Sequence, residues 1–145
     1  MNKTADEALA LAQQLVEGLR RRDPQRIAPL LAAEIVLEVP FPLVEGENRT
    51  GARRSSSYAV HNYLSDVRAA TTEIRFENVV WRTTDDGLAI FEADGVITMV
   101  NGAPYKNHYL MMFEASGGQI VRWREYLSPI IWARAAGVPL DSLPG

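Results

Sequence analysis

Residues 104–127 read PYKNHYLMMFEASGGQIVRWREYL, two β-rich runs on either side of Gly117-Gly118. Paired glycines between such runs mark a two-residue hairpin turn, because both turn positions need a left-handed backbone. A hairpin turn makes the two runs antiparallel neighbours. Toward the N-terminus the pattern repeats: runs at 88–100 and 73–82 are separated by Asp85-Asp86-Gly87, and Asn101-Gly102 links them to the hairpin. Four strands joined by short turns predict an antiparallel meander.

The chain before residue 73 has a different period. Thr4 and Glu7 have the spacing of a capping box, and Ala8, Leu11, Ala12, Leu15, Val16 and Leu19 recur every three or four residues, which predicts a helix over 5–22. Asp23-Pro24 reads as the cap and first residue of a short second helix that buries Ile27, Leu30 and Leu31. Residues 34–39 predict a strand stopped by Pro40 and Pro42, and Glu45-Gly46-Glu47-Asn48 is loop chemistry. A third helix is expected from Gly51, with Val60, Tyr63, Leu64 and Val67 inward, ending before Thr71. After Pro129, residues 130–136 predict a short helix stopped by Gly137. Helices first and a meander afterwards predict one α+β domain over 1–145, a curved antiparallel sheet with helices on its concave face.

Composition narrows the function. The chain has 145 residues, 47% hydrophobic and 23% charged, an ordinary globular balance. It has no cysteine, which removes disulfides, thiolate metal sites and a cysteine nucleophile, and fits a reducing cytoplasm. The first residues lack the basic and apolar regions of a signal peptide, and no stretch predicts a membrane span. Net charge is -3, and the only basic run, Arg20-Arg21-Arg22, ends a helix, where cations oppose the macrodipole; no nucleic-acid partner is expected. Two histidines without ligand spacing, no glycine-rich phosphate loop and no serine elbow leave metal hydrolysis, nucleotide binding and serine acyl transfer unsupported.

A two-residue turn at Gly117-Gly118 sets Leu110 opposite Glu125 and Met112 opposite Trp123. The same reasoning at Asn101-Gly102 adds Phe91, Ala93, Gly95 and Ile97 to that face, which also takes His108 and Leu127. Glu92, Asp94, Asn107, Tyr109, Met111, Phe113, Arg122, Arg124 and Tyr126 fall on the other face, as solvent or dimer surface. Glu125 and His108 are polar members of an otherwise apolar wall, and Ala93 and Gly95 are small enough to leave room beside them. A carboxyl group among Leu, Met and Trp side chains has its charged form disfavoured, so it exchanges protons nearer neutrality. Glu125 and His108 are therefore candidate catalytic residues, joined by Tyr58 and His61, one turn apart on the third helix. Trp123, Leu110, Met112, Phe91, Tyr63 and Asp94 are candidate substrate contacts, Asp94 only if a bulge turns it inward. Each has a plainer reading: Glu125 ion-paired with Arg122 or Arg124, His108 a bonded core residue, the aromatics and methionines packing alone.

The segment Val36-Leu37-Glu38-Val39-Pro40-Phe41-Pro42 and the ending Gly118-Gln-Ile-Val-Arg-Trp-Arg-Glu-Tyr-Leu-Ser-Pro129 resemble the SnoaL-like branch of the nuclear-transport-factor-2-like superfamily. Glu92-Ala-Asp94-Gly95, Tyr105-Lys-Asn107-His108-Tyr109-Leu110, Phe113-Glu114, Arg124-Glu125-Tyr126 and Ala136-Gly137-Val138 are similar to the phenazine-biosynthesis A/B proteins. The resemblance implies a cone-shaped fold, a homodimer through the sheet and a deep pocket using acid–base residues without a cofactor. It puts Glu125 at the family's carboxylate position, with Tyr58 where the phenazine proteins carry a histidine and His61 one turn later. The expected function is proton-transfer chemistry on a small, largely apolar cyclic or carbonyl metabolite: cyclisation, condensation, isomerisation or dehydration. The alternative is a small-molecule-binding or dimeric assembly domain of the same fold.

Overall fold

A computed structural model describes residues 3–41 and 63–143. Helix α1 (Lys3–Arg20) opens the chain and is followed by the short α2 (Pro24–Ile27) and a 3-10 turn, Ala28–Leu30. Strand β1 (Leu31–Glu38) and helix α3 (Ser65–Ala70) come next. The meander then runs through β2 (Thr71–Thr83), β3 (Leu88–Met99), β4 (Pro104–Ser116) and β5 (Gln119–Tyr126), before helix α4 (Pro129–Ala136). Asp23 caps α2 as expected, its side chain accepting from the Arg26 amide. That helix is shorter than its pattern predicts, because Pro29 has no N–H for the α-helical ladder and the chain tightens into the 3-10 turn. Leu31 therefore begins β1. Helix α1 starts ahead of Thr4, and Glu7 accepts from the Gly118 amide at 2.6 Å.

The five strands lie in the order β1-β5-β4-β3-β2. The meander is antiparallel, whereas β1 joins β5 in parallel, with Leu37 beside Trp123 and Glu38 beside Arg124. No short turn links β1 to β5, so hairpin rules leave its direction open. Bulges bend the sheet, one of them at Glu77–Val80, where Asn78 has φ 53°.

Register differs from the sequence expectation at β4. Met99 and Ala103 pair across a three-residue loop ending in Gly102 at φ 87°, not a two-residue turn at Asn101-Gly102. Phe91 consequently faces Met111 rather than Met112. At the other end, Gly117-Gly118 is the expected two-residue turn, with Ser116 opposite Gln119, but a bulge in β5 after Ile120 shifts the rest by one residue. Phe113 then faces Trp123, and Met111 faces Glu125. Both shifts turn β4 over relative to its neighbours. Its buried side is Tyr105, Asn107, Tyr109, Met111, Phe113 and Ala115; His108, Leu110 and Met112 lie on the outer face.

The core lies between α1 and the inner face of the sheet. Ala8, Ala12, Leu15 and Leu19 pack toward Ile74, Phe91, Met111, Phe113, Ile120 and Trp123, all fully or nearly fully buried. Gly95 leaves no empty space: a Cβ there would lie 2.4 Å from the Tyr109 ring, so Tyr109 fills the room the sequence assigned to a ligand. Among the described residues no helix is long and apolar enough to cross a membrane.

Candidate active site

Glu125 points inward from β5 and is 2% exposed, two residues along the same face from the fully buried Trp123. Arg122 and Arg124 alternate to the other face and both bind Glu38: Arg122 Nε at 2.7 Å, Arg124 Nη2 at 2.9 Å. Burial works to raise the Glu38 pKa, but these two cations outweigh it and hold the carboxyl below its ordinary value. The outer face thus takes up the arginines that could have neutralised Glu125, and among the described residues no cation pairs with the inner carboxyl.

The partner of Glu125 is Tyr63, whose hydroxyl donates to Oε2. Burial raises the Glu125 pKa to about 7, and the Tyr63 bond opposes the rise. At neutral pH the carboxyl is therefore divided between its two protonation states. Burial, then the neighbouring carboxylate, push the Tyr63 phenol well above its usual range, so it stays protonated and keeps donating. Its ring stands edge-on to Trp123, with centroids 5.6 Å apart and planes at 87°.

A second polar group supports the first. Asn107, 3% exposed, is fully engaged: Nδ2 donates to Tyr105 Oη at 2.8 Å and to the Ser128 carbonyl at 3.0 Å, and Oδ1 accepts from the Ser128 amide at 3.0 Å. Tyr109 Oη donates to Tyr105 Oη at 3.1 Å. Burial raises the pKa of both phenols, and the charge of Glu125 adds to that rise. Asn107 so ties β4 to Ser128, the cap of α4, and holds Tyr105 in place.

Among the described residues one buried side-chain donor has no partner. Trp123 Nε1–H is out of solvent and makes no hydrogen bond in the described structure. Such a group costs about 1–3 kcal/mol relative to a satisfied one.

The structure brings together Glu125, Tyr63 and Trp123 from the sequence-predicted set. Phe91 is also buried on the inner face, packed against Phe76 and Trp81. Three candidates, His108, Leu110 and Met112, are displaced by the register shifts, while Asp94 stays on the outer face, where its strand pattern put it. Leu110 and Met112 are half-buried on the outer face, and His108 and Asp94 pair there with each other, the His108 side chain 84% exposed. Asn78 Nδ2 donates to Asp94 at 2.8 Å, and that bond, then His108, lowers the Asp94 pKa. The bulge brings Asn78 to Asp94 and leaves Asp94 outside. Tyr58 and His61 lie outside the described residues. An open groove of about 550 Å³ is lined by Asp94, His108, Leu110 and Tyr126 together with Tyr109 and Leu127, and Glu125 is not among its lining residues. Sequence reasoning missed Tyr105, Asn107 and Tyr109. Their signal is alternation: Tyr105, Asn107, Tyr109, Met111 and Phe113 are far more apolar than Lys106, His108, Leu110, Met112 and Glu114, and that contrast outweighs a turn count.

A family model described as the SnoaL-like domain matches residues 12–123. The chain belongs to the SnoaL-like family. The match runs from α1 to Trp123 and stops two residues short of Glu125. Another similar protein is the uncharacterized protein YesE of Bacillus subtilis (strain 168), 25% identical over 135 residues, 91% of this chain and 88% of that one. Among solved structures, a Bacillus subtilis protein described as a "putative isomerase" superposes with a TM-score of 0.82 at 22% identity, covering 96% of this chain and 98% of that one. A phenazine biosynthesis-related protein from Pseudomonas aeruginosa superposes with a TM-score of 0.71 at 18% identity, covering 99% and 91%. At these identities the structural likeness shows that the SnoaL-like chain shares their fold; its chemistry has to be argued from its own residues.

Proposed function

We propose that this SnoaL-like chain is an acid–base enzyme that moves a proton on a small, largely apolar cyclic or carbonyl metabolite, in an isomerisation, cyclisation, condensation or dehydration that needs no cofactor. Glu125 is the proton carrier. The observation that carries this is a buried carboxyl that, among the described residues, has no cation beside it, accepts from the Tyr63 phenol and has its pKa raised to about 7. A general base or acid works best when its pKa lies near the working pH. Tyr63 donates to Oε2, and in this reading Oε1 is the exchanging oxygen. The name of the Bacillus subtilis neighbour, an isomerase, fits this reaction class.

The test needs no known substrate. The chain is incubated in deuterium oxide with a panel of cyclic ketones, and isotope incorporation beside the carbonyl is followed by mass spectrometry. Wild type is expected to speed the exchange of at least one ketone, and Glu125→Gln to lose 10²-fold or more of that rate, roughly the worth of a positioned base. Equal rates for the two proteins refute the proposal.

We also propose that two copies pair through the outer sheet face, which carries the half-buried Leu110, Met112 and Tyr126 beside the exposed Val80. Leu110→Asp is then expected to convert a dimer to a monomer in sedimentation, and a monomeric wild type excludes the pairing.

A further inference from the structure

The open groove of about 550 Å³ lies where β5 ends and has the size of a small-ligand site. Its apolar lining includes Leu110, Leu127 and the ring of Tyr126, which Phe41 meets edge-on with centroids 5.9 Å apart. Its polar lining is a row across three neighbouring strands: Asn78 on β2, Asp94 on β3 and His108 on β4. The bulge at Glu77–Val80 puts Asn78 in a left-handed backbone, and its Nδ2 donates to Asp94 Oδ2 at 2.8 Å. Asp94 Oδ1 in turn meets His108 Nδ1. Each group orients the next, and the row ends at Nε2 of a side chain that is 84% exposed and bonded through that nitrogen to no described residue. Glu92 also lines the groove, 3.4 Å from Arg82, and no lysine or arginine is among the described lining residues.

We propose that this groove binds a small ring-bearing amine, its ammonium donating to Nε2 of His108 and its ring lying on Tyr126, Leu110 and Leu127. A neutral imidazole gives its Nδ1–H to the Asp94 carboxylate, which leaves the Nε2 lone pair as an acceptor facing outward. The negative charge behind the ring makes that lone pair a stronger acceptor. An ammonium is a donor only, so it matches Nε2, and it is attracted by Asp94 and Glu92 as well. An alcohol could make the hydrogen bond but would gain nothing from those charges. A carboxylate would bring a third acceptor and a third negative charge to them. The ring supplies the part of the affinity that does not depend on charge, through burial against the apolar lining. Nothing in this binding involves Glu125, so it stands or falls apart from the acid–base reading. Leu110 and Tyr126 also belong to the face proposed for pairing, which makes the amine and a second copy competitors for those two side chains.

The experiment titrates wild type and Asp94→Asn near neutral pH with three probes of one shape: 2-phenylethylamine, 2-phenylethanol and 3-phenylpropanoate. Wild type is expected to bind the amine about fivefold more tightly than the alcohol, the worth of one exposed charge pair, and the carboxylate most weakly. Added salt should shrink that preference. Asp94→Asn keeps the shape of the row without its charge; it is expected to bind the alcohol as wild type does and to lose the preference for the amine. The chain has two histidines, His61 and His108, so the ring resonance missing from His108→Gln reports the site, and it should move on adding the amine to wild type. Equal affinity for amine and alcohol in wild type, an undiminished preference in Asp94→Asn, a stationary His108 resonance, or no binding of any probe to wild type each overturns the proposal. Sedimentation separates it from the pairing: the amine is expected to dissociate a dimer, and a dimer that persists while binding the amine with the same preference supports the groove and overturns pairing through Leu110.

Discussion

The hydroxyl of Tyr63 donates to Oε2 of Glu125, a contact between residues 62 apart in the chain that joins the turn before α3 to the C-terminal end of β5. The bond has two opposite effects. It stabilises the charged carboxyl, yet closing the phenol over Glu125 helps to keep water out, and exclusion dominates, since the carboxyl titrates at about 7 rather than at 4.5.

Glu125 should make the fold less stable as pH rises. A carboxyl whose folded pKa of about 7 exceeds its unfolded value of 4.5 binds more protons in the folded chain between those two pH values. Its contribution is fully present below about pH 4.5 and is lost as pH rises through 7. The span amounts to something on the order of 3 kcal/mol. Denaturant melts of wild type and Glu125→Gln from pH 4.5 to 8 should show that decline in wild type and a flatter profile in the variant; parallel profiles would mean that the carboxyl is solvated.

Tyr63→Phe removes the bond that lowers the Glu125 pKa while keeping the ring against Trp123. The carboxyl should then titrate above its wild-type value, followed by its carbon resonance in NMR. A fall would mean that the lost phenol had been shielding Glu125 from water rather than holding its charge.

Gly95→Ala places a methyl 2.4 Å from the Tyr109 ring. The ring is held at Tyr105 and cannot swing away freely, so the variant should lose about 1–3 kcal/mol, the usual cost of overpacking. Urea melts measure it, and an unchanged midpoint would show that Tyr109 is not seated across Gly95.

Glu38→Gln leaves Arg122 and Arg124 facing each other across a neutral amide. Since the carboxyl is 7% exposed and takes bonds from both, a loss of about 1.5–3 kcal/mol is expected. The loss should shrink as pH falls through the lowered Glu38 pKa, because wild type then also carries a neutral side chain. A loss constant with pH would separate it from the charge.

Much of this molecule can be read from local pattern. The helical repeat from Ala8 to Leu19, the cap at Asp23, the glycine turn at residues 117–118 and the alternation of the last strands determine an α+β domain, the bounds of its strands to within a few residues, and an acid at position 125 facing inward with Trp123; the start of the third helix, expected at Gly51, lies outside the described residues. Such features depend on residues a few positions apart, whose geometry the backbone sets directly. Tertiary structure decided the rest. A loop of three residues at Gly102 and a bulge after Ile120 each move the register by one, and in a strand one residue is the difference between core and solvent. That is why His108 and Leu110 left the site while Tyr109 and Asn107 entered the core, and why β1, tied to β5 by no turn, could pair in parallel and bring Glu38 to the arginines that would otherwise have been read as partners of Glu125. A bulge is favoured by how a whole sheet bends over its core, and no short stretch of sequence contains that information.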